Sequence, residues 1–344
     1  MITYSLFRRF SLLCFLAAGL VISVPAKSDS PTLMTITVES GVKALSSRQN
    51  TLTVEAGSGK TYVPELVKGQ LRLTEKAVQP MKQPERPTDI LPDGEITEGT
   101  RNIRRVWLAS PTTRYGHGVL GDRIEAGSVV AEMANGQIRT LTLNNDAVFE
   151  DRFARLADVD GDGADEILLV KSYLDRGAAM TVISPVGPSF KIVAESAAIG
   201  LPDRWLNPVG VADFDGDGRN EIAVVITPHI GGTLQLYEMK GNTLDEDISA
   251  NGFSNHQIGS RNLRLSAIGD FNNDGTQDIV LPDASRRNLL GVTFKGGKFR
   301  ELFRVPLTGS ITTAIYAHDI SGDGYPEIII GLAPDLLVVL SPHL

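Results

Sequence analysis

The feature that most constrains this chain is an acidic nine-residue loop that occurs four times, each copy running directly into an apolar, β-branched stretch. The copies are DVDGDGADEILLV from Asp158, DFDGDGRNEIAVV from Asp213, DFNNDGTQDIVLP from Asp270 and DISGDGYPEIIIG from Asp319, and their first residues lie 55, 57 and 49 positions apart. A repeat of this length is one supersecondary unit that cannot bury its own apolar face, so the units must stack or surround an axis. Each unit reads as short strands. In the second, Glu221 to Ile226 follows the loop, a turn at 227–232 leads to Thr233 to Met239, and Gly241-Asn242 turns again. The third repeats that order through Asp278 to Leu281, Asn288 to Phe294, the Gly296-Gly297 turn and Phe299 to Val305. Four short strands in about 50 residues predict an all-β fold, a β-propeller of four-stranded blades. Five blades are expected, with six or seven left open. Long amphipathic helical patterns are missing, which argues against an α/β class.

A fifth, degenerate unit is expected ahead of these, with Arg114 to Asp122 as its first strand and Ser128 to Met133, Gln137 to Leu143 and Ala147 to Phe149 after it. Gly121, Asp122 and Glu125 stand where its acidic loop would be. The last unit stops after Leu336 to Leu340, one strand short. A bare sheet edge invites mispairing, so an N-terminal strand, Ile103 to Leu108, is expected to complete it. Residues 76–100 hold Pro80, Pro84, Pro87 and Pro92 among polar residues and read as a linker. Leu33 to Glu39, Thr51 to Glu55 and Gln70 to Thr74 suggest short strands, forming either an additional blade or an appendage. The expected organisation is therefore a leader over 1–26, an N-terminal segment over 27–99 and the propeller over 100–344.

The leader reading rests on Arg8 and Arg9, an apolar run of 13 residues from Leu12 to Val24, and the small residues of Val24-Pro25-Ala26. That run is shorter than the roughly 20 residues a spanning helix needs, so it predicts export to the periplasm or beyond the cell, with no membrane span left after cleavage. Cys14 is the one cysteine and leaves with the leader, so disulfides cannot staple the remainder. Loss of Arg8 and Arg9 takes the formal charge from −8 to −10. An acidic exported chain is a poor partner for nucleic acid, which rewards basic surfaces.

Much of the acid is concentrated in the loops, in the pattern D-x-[DNS]-x-D-G-x-x-[DE]. One such loop alone would be ordinary turn chemistry. Four copies at the same point of a repeat point to a metal, because crowded carboxylates otherwise oppose one another's ionisation. Calcium takes six to eight hard oxygen ligands, and short acids at alternate positions of a tight loop can converge on one point. Glycine at the sixth position permits the sharp turn. The expected ligands are Asp158, Asp160, Asp162 and Glu166; Asp213, Asp215, Asp217 and Glu221; Asp270, Asn272, Asp274 and Asp278; and Asp319, Ser321, Asp323 and Glu327. About four structural Ca²⁺ ions would bring the charge from −10 to about −2. Asn272 and Ser321 leave three carboxylates in the third and fourth sites, which are expected to bind more weakly. An EF-hand is excluded because its glutamate at position 12 is replaced by Leu169 and Val224 inside strand patterns.

These loops and their spacing resemble the FG-GAP/VCBS repeats, whose best-known members form the propeller of integrin α chains. The resemblance covers 150–344 well, 100–149 weakly and 27–99 not at all. Gly331-Leu332-Ala333-Pro334 is similar to the family's Gly-Ala-Pro element, while most units lack it and a Phe-Gly pair, which places the chain nearer the bacterial VCBS-like branch. The resemblance implies a calcium-binding propeller that recognises a partner.

Other motifs carry less. Gly57-Ser58-Gly59-Lys60-Thr61 resembles a phosphate loop, but Val54 stands where the first glycine belongs, so a turn between strands is expected. His117, His229, His256, His318 and His343 show no metal-ligand spacing, no nucleophile elbow occurs, and no catalytic residue is assigned. If the acidic loops join first and second strands, the remaining turns and links share the opposite face. That face would carry Asp175, Arg176, Arg204, Trp205, His229, Asn255, His256, Arg261, Arg286 and Arg287, with Arg176, Arg204, Trp205, His229, Arg286 and Arg287 as candidate partner contacts. The alternative for Trp205 is packing between repeats. The expected function is recognition of a protein or glycan; a calcium-dependent enzyme on a polysaccharide or phosphate ester, and an envelope scaffold, remain the alternatives.

Overall fold

A computed structural model describes residues 31–48, 50–77 and 85–342. The leader with Arg8, Arg9 and Cys14, together with Pro80, Pro84 and His343, lies outside the described residues. The described chain is all-β, with 25 strands and no helix, so none of it forms a helix long and apolar enough to cross a membrane.

The strands follow one another as antiparallel meanders. β1 (Thr32–Thr37) precedes a four-stranded sheet of β2 (Val42–Arg48), β3 (Thr51–Ala56), β4 (Thr61–Val67) and β5 (Gln70–Glu75). Next come β6 (Thr97–Glu98), β7 (Ile103–Thr112), β8 (Glu125–Met133) and β9 (Ile138–Thr142), and the short β10 (Ala147–Phe149). The first repeat supplies β11 (Arg155–Ala157), β12 (Glu166–Tyr173), β13 (Gly177–Val186) and β14 (Ser189–Ser196). The second supplies β15 (Leu206–Ala212), β16 (Glu221–Ile226), β17 (Thr233–Lys240) and β18 (Thr243–Asn251). The third supplies β19 (Ala267–Gly269), β20 (Asp278–Pro282), β21 (Asn288–Thr293) and β22 (Arg300–Pro306), and the fourth β23 (Tyr316–His318), β24 (Glu327–Leu332) and β25 (Leu336–Ser341). Strands β6 to β18 form one 13-stranded sheet, joined through β10 and through a parallel pairing of β14 with β18; the other three sheets have four strands each, and none of the four closes on itself.

Two pairings differ from the sequence expectation. The open edge of β25 is covered by β1, with Thr32 opposite Ser341 and Thr37 opposite Leu336, whereas Ile103–Leu108 lies in β7 and pairs with β8. Both segments are apolar enough to cover an edge. The expectation chose the one nearer the repeats, but chain distance places little restriction on closing a loop, whose cost rises only slowly with length. Arg114 to Asp122 is the connection between β7 and β8, not a first strand; that place is taken by β6. Only two residues long, β6 leaves no pattern for alternation to reveal.

Burial explains the order within each repeat. The runs that follow the acidic loops, β12, β16, β20 and β24, are almost wholly buried, because sheets cover them on both faces. Outer strands alternate, as in β22, where Phe303 is buried and Glu301 and Arg304 are not. Phe214, Val225, Leu236, Ile279 and Val292 form one core between consecutive repeats, and Ile329, Leu337 and Val339 pack with Val42, Leu52 and Val54. At that last junction Gly331 is so close to Val42 that an added Cβ would sit 2.9 Å from the valine Cβ. The first strands β11, β15, β19 and β23 border a common cavity of about 410 Å³.

Candidate metal loops and the opposite face

All four acidic loops connect a first strand to a second and share one hydrogen-bonding scheme. The ninth residue accepts the amide of the second: Val159 to Glu166 at 2.9 Å, Phe214 to Glu221 at 2.8 Å, Phe271 to Asp278 at 2.9 Å and Ile320 to Glu327 at 2.9 Å. The first aspartate accepts the amide of the sixth-position glycine, at 2.8–3.0 Å in every loop. The fifth aspartate accepts the amide of the seventh residue, from 2.7 Å in Asp162 to 3.0 Å in Asp274. Positions four and six both adopt left-handed backbone, as in Gly216 and Gly218 with φ of 82° and 91°. Asn273, at φ 57°, is the one non-glycine at these places, and asparagine tolerates that region better than most residues.

The acids converge to different degrees. Oxygens of Asp213, Asp215, Asp217 and Glu221 all lie within 4.8 Å of one another, as do those of Asp158, Asp160 and Glu166. Asp162 stays out of the first cluster. Among the described residues these are the clusters in which three or more carboxylates converge so closely, and the third and fourth loops, with Asn272 and Ser321, bring fewer together. Burial, followed by the repulsion of neighbouring carboxylates, raises Glu166, Glu221 and Asp278 to about 7, and burial also raises Glu327. Oδ1 atoms of Asp158, Asn272 and Asp278 are buried acceptors with no hydrogen-bond donor. Hard oxygen donors, orphaned acceptors and mutual repulsion all fit a hard divalent cation. Side-chain cations meet part of the demand. Arg219 donates to Asp217 at 3.0 Å and holds its carboxyl below the usual range, and Lys295 lies 3.3 Å from Asp274.

Sequence reasoning missed the bonds between neighbouring loops. Arg101 Nη1 lies 3.2 Å from Asp158 and 3.3 Å from Asp165. Asn102 exchanges two bonds with the Asp165 backbone, at 2.7 and 3.1 Å, and Asn220 donates to the Asp158 carbonyl at 2.8 Å. A polar residue at position eight was the only hint in the chain.

On the opposite side, Arg176 and Arg287 are exposed, while Arg204, His229 and Arg286 are half-buried. Trp205 is 2% exposed and so is withdrawn as a partner contact. Its Nε1 donates to the Glu150 carbonyl at 3.0 Å, and its ring stacks on His229 and meets His256 edge-on. An indole beside a chain link is large enough to serve as core for that link. Asn255 and His256 are also fully buried. His256 Nε2 donates to the Ser260 carbonyl at 2.8 Å, so its Nδ1 accepts from His229 Nε2, also at 2.8 Å. Burial first, then neighbouring cations, pushes both histidines down to about 4, so the pair is neutral. His117 contacts Glu150 at 2.7 Å, and Ser172 donates to the same carboxylate. Nothing in the spacing of these residues announced either cluster. The Gly57–Lys60 segment is a β3–β4 turn, as expected.

Together the all-β architecture and the repeated acidic loops define a repeat protein of the kind built for recognition on a rigid scaffold. The FG-GAP-like repeat family matches residues 158–224, 213–281 and 270–330, about half of the chain, and the chain belongs to that family. Repeats of this kind often bind calcium and point to a propeller-like interaction module. No match was found among curated proteins.

Proposed function

We propose that the chain is an exported, calcium-stabilised β-propeller of six blades that binds a protein partner through the face opposite its acidic loops. Six rather than five follows from counting the four-strand meanders, with β2–β5 as one blade and β1 completing the last. A radial arrangement is supported by the first strands of four repeats bordering one cavity. The four loops are the calcium sites, with the first two binding more tightly.

The observation that carries the recognition reading is apolar exposure. Leu174, Leu201, Ile230 and Ile258 are 37%, 57%, 63% and 66% exposed. All four lie on second-to-third turns or on links between repeats, in company with Arg176, Arg204 and Arg287. Isolated exposed apolar residues are ordinary, but four of them beside arginines on one face resemble a protein interface more than a glycan platform. The His117–Glu150–Ser172 group does not favour an enzyme: Ser172 and Glu150 are fully buried, and the hydroxyl proton goes to the carboxylate.

The test pairs two measurements on the full chain. Melting in calcium, magnesium and a chelator should show stabilisation specific to calcium. Cross-linking in envelope extract should then capture a protein with the native chain and lose it with Leu201→Asp/Ile230→Asp, whose melting point should match the native one because both side chains are exposed. Capture unaffected by that double variant would refute the assignment of the face.

A further inference from the structure

The cavity at the centre of the repeats has the character of a ligand site. Its volume of about 410 Å³ falls among small-molecule sites, which span about 300–1,000 Å³. Leu156, Leu168, Val209, Val211, Ile222 and Ile268 give it an apolar wall. Water in such a space finds few polar partners.

Two cations interrupt that wall. The guanidinium groups of Arg155 and Arg264 stand 4.6 and 3.8 Å from the centre of the Phe153 ring, and all three residues line the cavity. Stacking on an aromatic ring holds a guanidinium flat and leaves its edge N–H groups for hydrogen bonds in its own plane. Arg155 spends Nη1 on the buried carboxylate of Asp151, at 2.7 Å. Its Nη2 is buried and has no partner. A donor left in that state lacks a bond that an anionic oxygen would supply strongly. Arg264 pairs with Glu95 at 2.7 Å, and Glu95 is shared with Arg152 at 3.4 Å.

The two ends of the space differ. Towards the recognition face, chain links cross and are tied together. Gly259 donates to the Val119 carbonyl at 2.8 Å, Arg261 pairs with Asp122 at 2.8 Å, and Arg152 holds Asp93 and the Arg261 carbonyl. Towards the acidic loops a second cavity, about 440 Å³, shares Leu156, Ala157 and Val211 with the first and is bordered by Arg101, Asp158 and Asn220. Access is therefore from the acidic-loop side.

We propose that this cavity binds a small organic anion with an aromatic or aliphatic body, its acid group on Arg155 and Arg264 and its body along the apolar wall. The site is separate from the protein-binding face and does not depend on it.

The test uses the full chain and two dyes that differ in one group, 8-anilinonaphthalene-1-sulfonate and uncharged N-phenyl-1-naphthylamine. The sulfonate should bind saturably, one per chain, and the neutral dye about tenfold more weakly. Arg155→Lys keeps a cation for Asp151 but removes Nη2 and the flat stack, and should weaken the sulfonate by about tenfold. Ala317→Trp, which fills the cavity from half-buried Ala317 on β23, should abolish it. Should that variant not fold, the Arg155→Lys and neutral-dye comparisons decide. Equal affinity of the two dyes, unchanged affinity in Arg155→Lys, or no saturable binding would each overturn the proposal. So would loss of binding in Leu201→Asp/Ile230→Asp, which would put the dye on the outer face.

Discussion

Glu221→Gln is expected to change sign with calcium. Glu221 is 2% exposed and accepts the Phe214 amide at 2.8 Å. Burial, then the charges of Asp215, Asp213 and Asp217, raises its carboxyl from 4.5 to about 7, against the opposing effect of the Phe214 bond. A folded-state value above the unfolded one means that folding takes up a proton. Stability is then present below 4.5, falls as the pH rises through about 7, and stays lost above it. The full difference corresponds to about 3 kcal/mol at pH 8; water at the open side of the loop reduces this to about 1–2 kcal/mol. Glutamine keeps the shape and the oxygen for Phe214 but carries no charge. In chelator at pH 8 the variant should therefore melt several degrees above the native chain, and at pH 5 the gap should shrink. In saturating calcium the order should reverse, because one of four carboxylates is gone. Where calcium stands at 100 times its dissociation constant, it adds about 2.7 kcal/mol that a weakened site forfeits. The assay is circular dichroism melting of both chains in the two media at both pH values. Equal destabilisation in calcium and chelator would refute the reasoning and reduce Glu221 to a hydrogen-bond acceptor.

Calorimetric titration should resolve two tighter and two weaker calcium sites, with Asn272→Asp and Ser321→Asp strengthening the weaker pair; four identical sites would contradict the assigned charges. The neutral His229–His256 pair is held below its unfolded value of 6.5, so its contribution is present above pH 6.5 and lost as the pH falls through about 4. His229→Gln/His256→Gln should flatten that part of the melting profile, and an unaltered profile would show that the pair does not stay neutral. Deleting Thr32–Thr37 should expose the β25 edge, lower the melting point and promote association detectable by light scattering; a monomer of native stability would show that β1 is dispensable.

Legibility in the sequence followed range along the chain. The acidic loops, the strands after them and the smaller number of carboxylates in the third and fourth loops could be read because the loop residues lie within nine positions of one another. Strand order inside a repeat could be read because turn residues such as Gly241-Asn242 and Gly296-Gly297 mark where each strand ends. The pairing of Thr32–Thr37 with Leu336–Ser341 could not, since any apolar N-terminal segment fits an edge equally well by pattern. Asn102 and Arg101 act on the loop of the repeat that follows them and Asn220 on the loop of the repeat before it, and beyond a polar residue at position eight nothing local marks them. Trp205 was legible as a large side chain on a link, but whether such a side chain points outward or into the link is settled by Glu150 and His229, 55 and 24 positions away.

The bonds between loops also bear on how the acidic loops communicate with the opposite face. Asn220 fixes the first residue of the neighbouring acidic loop, and Asn102 fixes the eighth residue of that same loop. On the proposed reading, an ion that stiffens one loop therefore also stiffens the junction to the next repeat. Stiff junctions hold the second strands in place, and those strands carry the turns that bear Leu174 and Ile230 at their far ends. Calcium would thus set the spacing of the recognition face without touching it. The turns and links on that face remain free to differ from repeat to repeat, as the 12-residue connection between β7 and β8 and the three-residue one between β12 and β13 already do.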